Sequence, residues 1–242
     1  MPKNNKRETN FISENSPTIE TGFTPVAVVE LFTSEGCSSC PPADKVFSEI
    51  PSLIENENVF LLAYHVHYWN RLGWEDRFSD AAYSERQKNY CEKLVSTVYT
   101  PQMIVGGTNP FNGSDKEKAV NSIQRDLQKN AAINIESNIK INADNSVLVE
   151  YKLLGELKDQ IINAALIEKE NESDVTKGEN DGRILKHTNI VREFISERIK
   201  EDSGTFILQI PNDVLLNNFR IYLFTQDVNS GAVSGACSAG DL

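Results

Sequence analysis

A short apolar segment followed by two cysteines places the strongest constraint on how this chain folds. Residues Val26–Thr33 read VAVVELFT, a β-branched apolar run that follows Pro25 and precedes the turn-forming SEG. Such a run predicts a buried β-strand. Cys37 and Cys40 come directly after it, and helix-like apolar spacing continues from there to about Asn56. The sequence therefore places a Cys-x-x-Cys pair at a predicted strand-to-helix turn.

Predicted strands and helices alternate up to about residue 131. The predicted strands cover residues 26–33, 59–69 and 98–107, and the predicted helices cover residues 40–56, 79–94 and 114–130. The TNPFNGS segment between the last strand and the last helix is typical of a hairpin turn. This order predicts an α/β domain over residues 23–131.

The pattern changes after residue 131, where apolar and polar residues alternate in short runs separated by turn residues. Such runs predict an antiparallel β-sandwich-like domain over residues 132–242. The first 22 residues are polar and rich in Asn and Glu, which predicts a flexible N-terminal tail.

Charge and hydropathy exclude several classes of partner. The formal net charge of -11 over 242 residues argues against binding to nucleic acid or to an anionic membrane surface. No apolar run reaches the roughly 18 residues of a membrane span, and the N-terminus has no apolar core of a signal peptide. We expect a monomer that is either cytoplasmic or was exported with a signal since removed.

The position of the cysteine pair predicts thiol–disulfide chemistry. The start of a helix carries unpaired N–H groups and a partial positive charge, which stabilise a thiolate. We expect Cys37 to lie there and to attack a substrate disulfide, and Cys40 to resolve the mixed disulfide. The expected substrate is a protein or small molecule carrying a thiol or disulfide, and the reaction needs no cofactor beyond the Cys37–Cys40 disulfide.

Three alternatives remain open for the same cysteines. In the first alternative, the two cysteines form a structural disulfide, although a disulfide across two residues gains little loop entropy. They bind copper or zinc together with His65 and His67, which are two residues apart on a predicted strand and so would share a face. Finally, the pair is vestigial and the β-rich region binds a protein partner. For His65 alone, a hydrogen-bonded and partly buried strand residue is the simpler interpretation.

Further residues are candidates for the site. Pro101 opens the third predicted strand about 60 residues after the dithiol, where thioredoxins place a cis-proline facing the cysteines, so we expect a cis Thr100–Pro101 bond. Glu30 is a candidate proton acceptor, or else an ion-paired strand residue. Candidate substrate-binding residues, which are otherwise core residues, are Thr100, Tyr68, Trp69 and Trp74.

Four motifs resemble, in order, those of a bacterial family known as domain of unknown function 1223. They read VVELFTSEGCSSCPPAD, YHVHYWNRLGWEDRFSDAAYSERQ, VYTPQMIVGG and KGENDGRILKHTNIVR. The resemblance implies a thioredoxin-like domain followed by a β-rich domain, in proteins that mostly carry secretion signals and are therefore periplasmic or secreted. The family segment HVDYWD reads HVHYWN here, so His67 and Asn70 stand at positions where the family has acids.

Two features of the β-rich region stay open at this stage. The GENDGRILKHTNIVR segment, residues 178–192, forms either a solvated hairpin or a loop that docks beside the dithiol. Two further cysteines, Cys91 and Cys237, remain outside the Cys-x-x-Cys pair. They could form a second disulfide, but the sequence alone does not show whether they do.

Overall fold

The computed structural model describes residues 22–212 and 215–242. The tail predicted for residues 1–22 therefore lies outside the described residues, apart from Gly22. Within the described ranges, the α-helices are α1 (Pro41–Leu53), α2 (Ala81–Lys93) and α3 (Lys116–Asp126). The strands of the first half are β1 (Ala27–Thr33), β2 (Val59–Val66), β3 (Ser79–Asp80), β4 (Gln102–Val105) and β5 (Asn109–Asn112). Those of the second half are β6 (Ile133–Ile141), β7 (Ser146–Gly155), β8 (Gln160–Val175), β9 (Arg183–Arg198), β10 (Ser203–Gln209), β11 (Phe219–Asp227) and β12 (Val233–Asp241).

The protein is a mixed α/β structure built on one large sheet with few helices. Among the described residues this sheet has nine strands, in the order β12-β11-β8-β9-β2-β1-β4-β5, with β3 beside β2. β1 and β2 run parallel, as do β2 and β9, which pair where Ala63 meets Ile190. A smaller sheet has the order β10-β7-β6. Strands from the two halves of the chain thus form one continuous sheet.

Both faces of β1 are covered, which explains why its sequence is apolar without alternation. Ala27, Val29 and Leu31 pack with α1 and α3 in one hydrophobic cluster. Val28 and Phe32 pack on the opposite face with residues of α2, β8, β9 and β11. This second cluster spans both halves of the chain. The thioredoxin-like assignment of residues 23–131 and the boundary near residue 131 stay predictions.

The smaller sheet covers β8 and β11 on one face. Ile162, Ala164 and Leu166 of β8 pack against apolar residues of β6, β7 and β10, whereas Ala165 and Ile167 face the cluster that contains α2. Strand β8 therefore lies between the smaller sheet and the cluster that contains α2. The β-sandwich-like domain over residues 132–242 stays a prediction. No helix among the described residues is long and apolar enough to cross a membrane.

Element boundaries differ from the sequence expectations at two places that affect the site. β2 ends at Val66, and a short 3-10 helix, His67–Leu72, follows where the sequence predicted strand. The NPFN segment, predicted as turn, is strand β5, which pairs with β4 across a turn at Gly106–Thr108. Gly106 and Gly107 adopt φ of 61° and 72°, a conformation that favours glycine and permits the tight reversal.

Candidate functional site

Cys37 and Cys40 form a disulfide between the end of β1 and the start of α1. The connecting loop is held by main-chain hydrogen bonds from Cys37 N to Ser34 O (3.1 Å) and from Cys40 N to Cys37 O (3.2 Å). α1 begins at Pro41, with Cys40 as its N-cap residue. The expectation that Cys37 lies at the helix start is thus off by one turn, because Cys40 occupies that place. Prolines suit the first helical positions, since no N–H partner is needed there.

Thr100 contacts the dithiol directly, and Trp69 contacts Thr100. The Thr100–Pro101 peptide bond is cis, as the sequence predicted. The Thr100 hydroxyl donates to Cys37 Sγ at 3.3 Å and accepts a hydrogen bond of 2.8 Å from Trp69 Nε1. A chain of polar contacts therefore runs from Trp69 through Thr100 to the sulfur of Cys37.

The tip of the β8–β9 hairpin docks on the cysteine loop. The Asn180 side-chain amide donates to the main-chain oxygens of Glu35 (2.8 Å) and Cys37 (3.0 Å). The Glu179 carboxylate accepts a hydrogen bond of 3.0 Å from Ser38 N. The structure therefore favours the docking interpretation of residues 178–192 over the solvated hairpin, because the segment belongs to a hairpin whose Asn180 and His187 are buried.

The hairpin tip is itself held in place. Arg183 Nη1 donates to Asn180 Oδ1 at 3.0 Å, which fixes the orientation of the amide. Gly178 adopts φ of 78°, and an added Cβ would lie 3.3 Å from Trp74 Cβ. With this tip in place both cysteines are 0% exposed. Small molecules reach the sulfurs only if the tip or its neighbours move.

Five titratable side chains form a buried cluster beside the dithiol. The loop and α1 supply Glu35 and Asp44, β2 supplies His65, the segment before β3 supplies Asp76, and β9 supplies His187. His187 Nε2 lies 3.4 Å from Glu35 Oε1, and His187 Nδ1 lies 3.8 Å from Asp44 Oδ2. His65 Nδ1 lies 2.7 Å from Asp76 Oδ2. The His65 and His187 rings meet edge to face with centroids 4.7 Å apart.

Further contacts fix the carboxylates of this cluster. Asp76 also accepts from Glu35 N at 2.9 Å, and Glu35 Oε2 accepts from Trp74 Nε1 at 2.7 Å. Thr33 Oγ1 donates to Asp44 Oδ1 at 2.9 Å. Within the described part of the chain, Glu35 Oε1, His65 Nε2 and both ring nitrogens of His187 are buried without a hydrogen-bond partner. Unpaired buried polar atoms are uncommon and often mark functional sites.

The cluster shifts the protonation of its members. Burial lowers the pKa of His65, but the Asp76 carboxylate, aided by Asp44 and Glu35, outweighs burial and raises it. Burial would raise the pKa of Asp76, yet His65 and two main-chain N–H groups lower it. Burial raises the pKa of Asp44 even though His187 and His65 oppose the shift. His65 and Asp76 thus form an ion pair, and Asp44 is the carboxylate that binds a proton more readily than usual.

An open groove borders this cluster. Its volume is about 1320 Å³, and it lies between α1, the β8–β9 hairpin and the segment before β11. Asp44 and His187 both line it. The two residues therefore lie between the dithiol and a solvent-accessible space.

The sequence comparison decides the family. The family model described as "Protein of unknown function (DUF1223)" matches residues 28–226. The chain belongs to this family. No functionally curated protein matches this DUF1223 chain.

Solved structures include one similar fold. A crystal structure of a structural-genomics target protein from Agrobacterium tumefaciens has 26% identity to the DUF1223 chain and a TM-score of 0.66, covering 90% of this chain and 96% of that one. A domain of the outer membrane lipoprotein Omp28 from Porphyromonas gingivalis covers 45% of this chain and 86% of that one at 15% identity. Its TM-score of 0.28 is too low to support a common fold.

In this DUF1223 protein, Glu30 lies away from the dithiol. Its side chain is buried on the face of β1 that packs with α2, where Arg86 Nε and Nη2 donate at 2.6 and 3.0 Å and the Tyr90 hydroxyl donates as well. The structure therefore favours the ion-pair interpretation over the proton-acceptor one. Residues one apart on a strand face opposite sides, and Glu30 points opposite to its neighbour Leu31, which packs on α1.

The aromatic candidates divide between the site and the core. Trp69 and Trp74 contact the site through Thr100 and Glu35, respectively. Tyr68 donates to Gln87 Oε1 at 3.1 Å, packs against the cluster around α2 and also interacts with Thr100. Substrate binding by Thr100, Tyr68, Trp69 and Trp74 stays a prediction.

The proposed metal ligands do not come together. His65 is buried and pairs with Asp76, whereas His67 is exposed and its Nδ1 lies 2.7 Å from Ser84 Oγ. The expectation of a shared face is wrong because β2 ends between them, at Val66. Among the described residues, no group of three or more His, Cys, Asp or Glu side chains is placed to hold a metal ion.

Asn70, at the second position where the family has an acid, shapes the loop that carries Asp76. Its Oδ1 accepts from Asp76 N at 3.2 Å, and its Nδ2 donates to Ser79 Oγ at 2.9 Å.

Cys91 and Cys237 are both free thiols, the first buried and the second partly buried. They do not pair.

Sequence reasoning missed Asp44, Asp76 and Glu35 as site residues and placed His187 only within a loop of open role. Two local signals were available. Glu35 stands two residues before Cys37, and Asp44 stands four residues after Cys40, one helical turn away.

Proposed function

We propose that this protein is a thiol–disulfide oxidoreductase with a thioredoxin-like arrangement, in which Cys37 exchanges with substrate and Cys40 resolves. The observation that carries the proposal is the Cys37–Cys40 disulfide at the β1–α1 junction, with the Thr100 hydroxyl donating to Cys37 Sγ at 3.3 Å. A donor directed at this sulfur stabilises a thiolate when the disulfide is reduced, and the thiolate is the attacking species.

The roles of the two cysteines follow from their surroundings. The Thr100 hydroxyl donates to Cys37 Sγ, and Ser38 and Ser39, which follow Cys37, are exposed. Cys40 is the N-cap of α1 and is as fully buried as Cys37. Because Cys37 has the thiolate-stabilising donor and is followed by exposed residues, we assign attack to Cys37.

The proposal includes partner, cofactor and compartment. The substrate is a protein or small thiol or disulfide, and the redox-active disulfide itself is the only electron carrier that the reaction requires. We place the protein in the periplasm or outside the cell, where disulfides persist. We expect it to act as a monomer.

Reduction of insulin disulfides with dithiothreitol as electron donor tests the function. We expect the native protein to accelerate the reaction, Cys37→Ser to abolish it, and Cys40→Ser to accumulate a mixed disulfide on Cys37 that mass spectrometry detects. The Cys91→Ala variant is the control, because Cys91 is a free cysteine whose thiol contacts Thr97 O and Gln102 Oε1 rather than the dithiol. Equal activity of native protein and Cys37→Ser would contradict the proposal.

One observation favours a second candidate, an interaction protein in which the disulfide is static. Both cysteines are 0% exposed beneath the hairpin tip. This candidate predicts that the native disulfide resists millimolar dithiothreitol and that Cys37→Ser alters stability alone. Reduction of the folded protein within minutes would exclude it.

A further inference from the structure

Disulfide exchange between the two cysteines does not by itself explain why titratable side chains cluster beside the dithiol. We propose that Asp44 accepts the proton of the Cys40 thiol and that His187 passes it on to the groove. The inference rests on the proposed thiol–disulfide function and adds the proton path that a buried resolving cysteine needs. It assigns the second half of the chain, through β9, a direct part in the reaction.

Asp44 lies on the same helical turn as the Cys40 thiol. Cys40 has helical φ and ψ of -78° and -38°, and the Asp44 N–H donates to Cys40 O at 3.0 Å. Side chains four residues apart on a helix are neighbours, with Cβ atoms about 5–6 Å apart. Thr33 binds Oδ1 of Asp44 and leaves Oδ2 directed toward His187. Helical spacing therefore places the carboxylate near the resolving cysteine, and its Oδ2 faces the imidazole.

His187 is placed to transfer a proton rather than to hold structure. Its Nδ1 lies 3.8 Å from Asp44 Oδ2 and its Nε2 lies 3.4 Å from Glu35 Oε1. Neither ring nitrogen has a hydrogen-bond partner within the described residues, although the side chain is buried. An imidazole accepts a proton at one nitrogen and releases one from the other, which suits a relay. Both ring nitrogens are buried in the observed position, and the side chain lines the groove, so the proposed exit requires a rotation of the ring that brings a nitrogen to the groove.

The charges that surround this pair are mixed. From β2 and the segment before β3, the His65–Asp76 ion pair faces His187 ring to ring. From the loop, Glu35 faces it directly. The charged residues of α1, β8 and β9 that line the groove with it are Lys45, Glu168, Lys169, Glu170, Glu172 and Lys186. Burial raises the pKa of Asp44 toward that of a thiol, which supports transfer between them.

The resolving step starts from a mixed disulfide between Cys37 and a substrate sulfur. The Cys40 thiol gives its proton to Asp44, and the electron pair left on sulfur forms the bond to Cys37 Sγ. The bond between Cys37 Sγ and the substrate sulfur breaks, and its electron pair leaves with the substrate as a thiolate, which takes a proton from water. The substrate is reduced, the two cysteines are oxidised, and the proton on Asp44 leaves through His187.

Dithiobis-nitrobenzoate, an aromatic disulfide with a coloured thiolate product, separates the two steps in stopped-flow experiments. The reduced protein carries Cys91→Ala and Cys237→Ser so that only the dithiol reacts. Attack by Cys37 gives a second-order phase, and resolution by Cys40 gives a first-order phase. We expect Asp44→Asn to slow the first-order phase about 100-fold near neutral pH and His187→Gln about tenfold, without changing the second-order phase.

The pH profile distinguishes proton transfer from a structural effect. In Asp44→Asn the first-order rate should rise about tenfold per pH unit toward the ordinary thiol pKa of about 8.5, and Asp44→Glu should restore most of the rate. Glu49→Gln, on the exposed side of the same helix, should match the parent protein. If the Asp44→Asn variant does not fold, the rate of the first-order phase in His187→Gln tests the proposal instead.

The outcomes separate the two proposals. A first-order phase that is the same in Asp44→Asn, His187→Gln and the parent protein would overturn the relay and leave the oxidoreductase proposal standing. A second-order phase slowed as much as the first would also overturn it, since the cluster would then act on Cys37. A parent protein that shows no first-order phase at all would overturn the proposed function itself.

Discussion

The side-chain amide of Asn180 donates a hydrogen bond of 3.0 Å to the main-chain oxygen of Cys37, 143 residues earlier in the chain. The same amide binds Glu35 O at 2.8 Å. One side chain from the β8–β9 hairpin therefore holds both ends of the segment that leads into the dithiol. The second half of the chain therefore contributes to the candidate site, and we expect its contacts with the cysteine loop to limit access to the sulfurs.

Asn180→Ala should accelerate reduction of the native disulfide by dithiothreitol about tenfold. Each lost hydrogen bond weakens the closed position of the hairpin tip by about 1 kcal/mol, and 1.4 kcal/mol corresponds to a factor of ten. Thiol titration of quenched samples measures the rate. Asn138→Ala, an exposed asparagine of β6, should leave it unchanged. An equal rate in the native protein and Asn180→Ala would show that the tip does not limit access.

Thr100→Val should slow alkylation of Cys37 in the reduced protein by about tenfold near neutral pH. The substitution keeps the shape of the side chain and removes the donor that lies 3.3 Å from Cys37 Sγ, and a hydrogen bond to a charged group contributes about 1.5–3 kcal/mol. Iodoacetamide trapping followed by mass spectrometry measures the rate. Thr100→Ser retains the hydroxyl and should behave like the native protein; a loss of rate in both variants would argue for a packing effect.

Arg86→Met should lower the free energy of unfolding by about 3–5 kcal/mol, since it leaves the Glu30 carboxylate buried and unpaired. Arg86 also donates to Gln226 Oε1 of β11 at 2.9 Å, so the loss weakens the contact between the halves. Urea denaturation measures the change. Lys116→Met breaks an exposed ion pair with Glu49 and should cost under about 1 kcal/mol.

The Glu30→Gln variant should not alter the first-order phase of the reaction with dithiobis-nitrobenzoate. The reason is that the Glu30 carboxylate of the native protein faces α2 rather than the dithiol. A slowed phase in a variant that still folds would restore Glu30 as the proton acceptor.

His65→Gln should reduce stability most between about pH 4 and 6.5. The pKa of His65 is raised, so its contribution is complete below the ordinary histidine pKa of about 6.5 and is lost as pH rises through the raised value. The pKa of Asp76 is lowered, so its contribution is present above about pH 3.9 and is lost as pH falls through the lowered value. Urea unfolding across this range measures the difference between the two proteins, and a difference independent of pH would contradict the ion pair.

Local patterns predicted the local parts of the site. The apolar run of β1, the helix after Cys40 and the proline at residue 101 each depend on a few neighbouring residues, and the structure has a strand, a helix and a cis bond there. The pairing of β2 with β9 was beyond such reasoning, because Ala63 and Ile190 carry no signal of their partnership. The His187–Asp44 contact depends on that pairing and was missed with it.

Two residues lie elsewhere than the sequence predicted for a different reason, which is uncertainty about where a strand ends and which face a side chain takes. Glu30 and Leu31 are adjacent, yet only Leu31 faces α1. His67 lies one residue beyond the end of β2, so the alternation that would align it with His65 no longer applies. A shift of one residue in either assignment reverses the side of the sheet.

The reduction potential of the Cys37–Cys40 pair tests the central claim most directly. Equilibration with glutathione buffers, followed by trapping of free thiols in the protein with Cys91→Ala and Cys237→Ser, gives the value. The account predicts a potential between roughly -270 and -120 mV, the range of dithiols that exchange with substrates. A potential below about -300 mV, typical of structural disulfides, would contradict it.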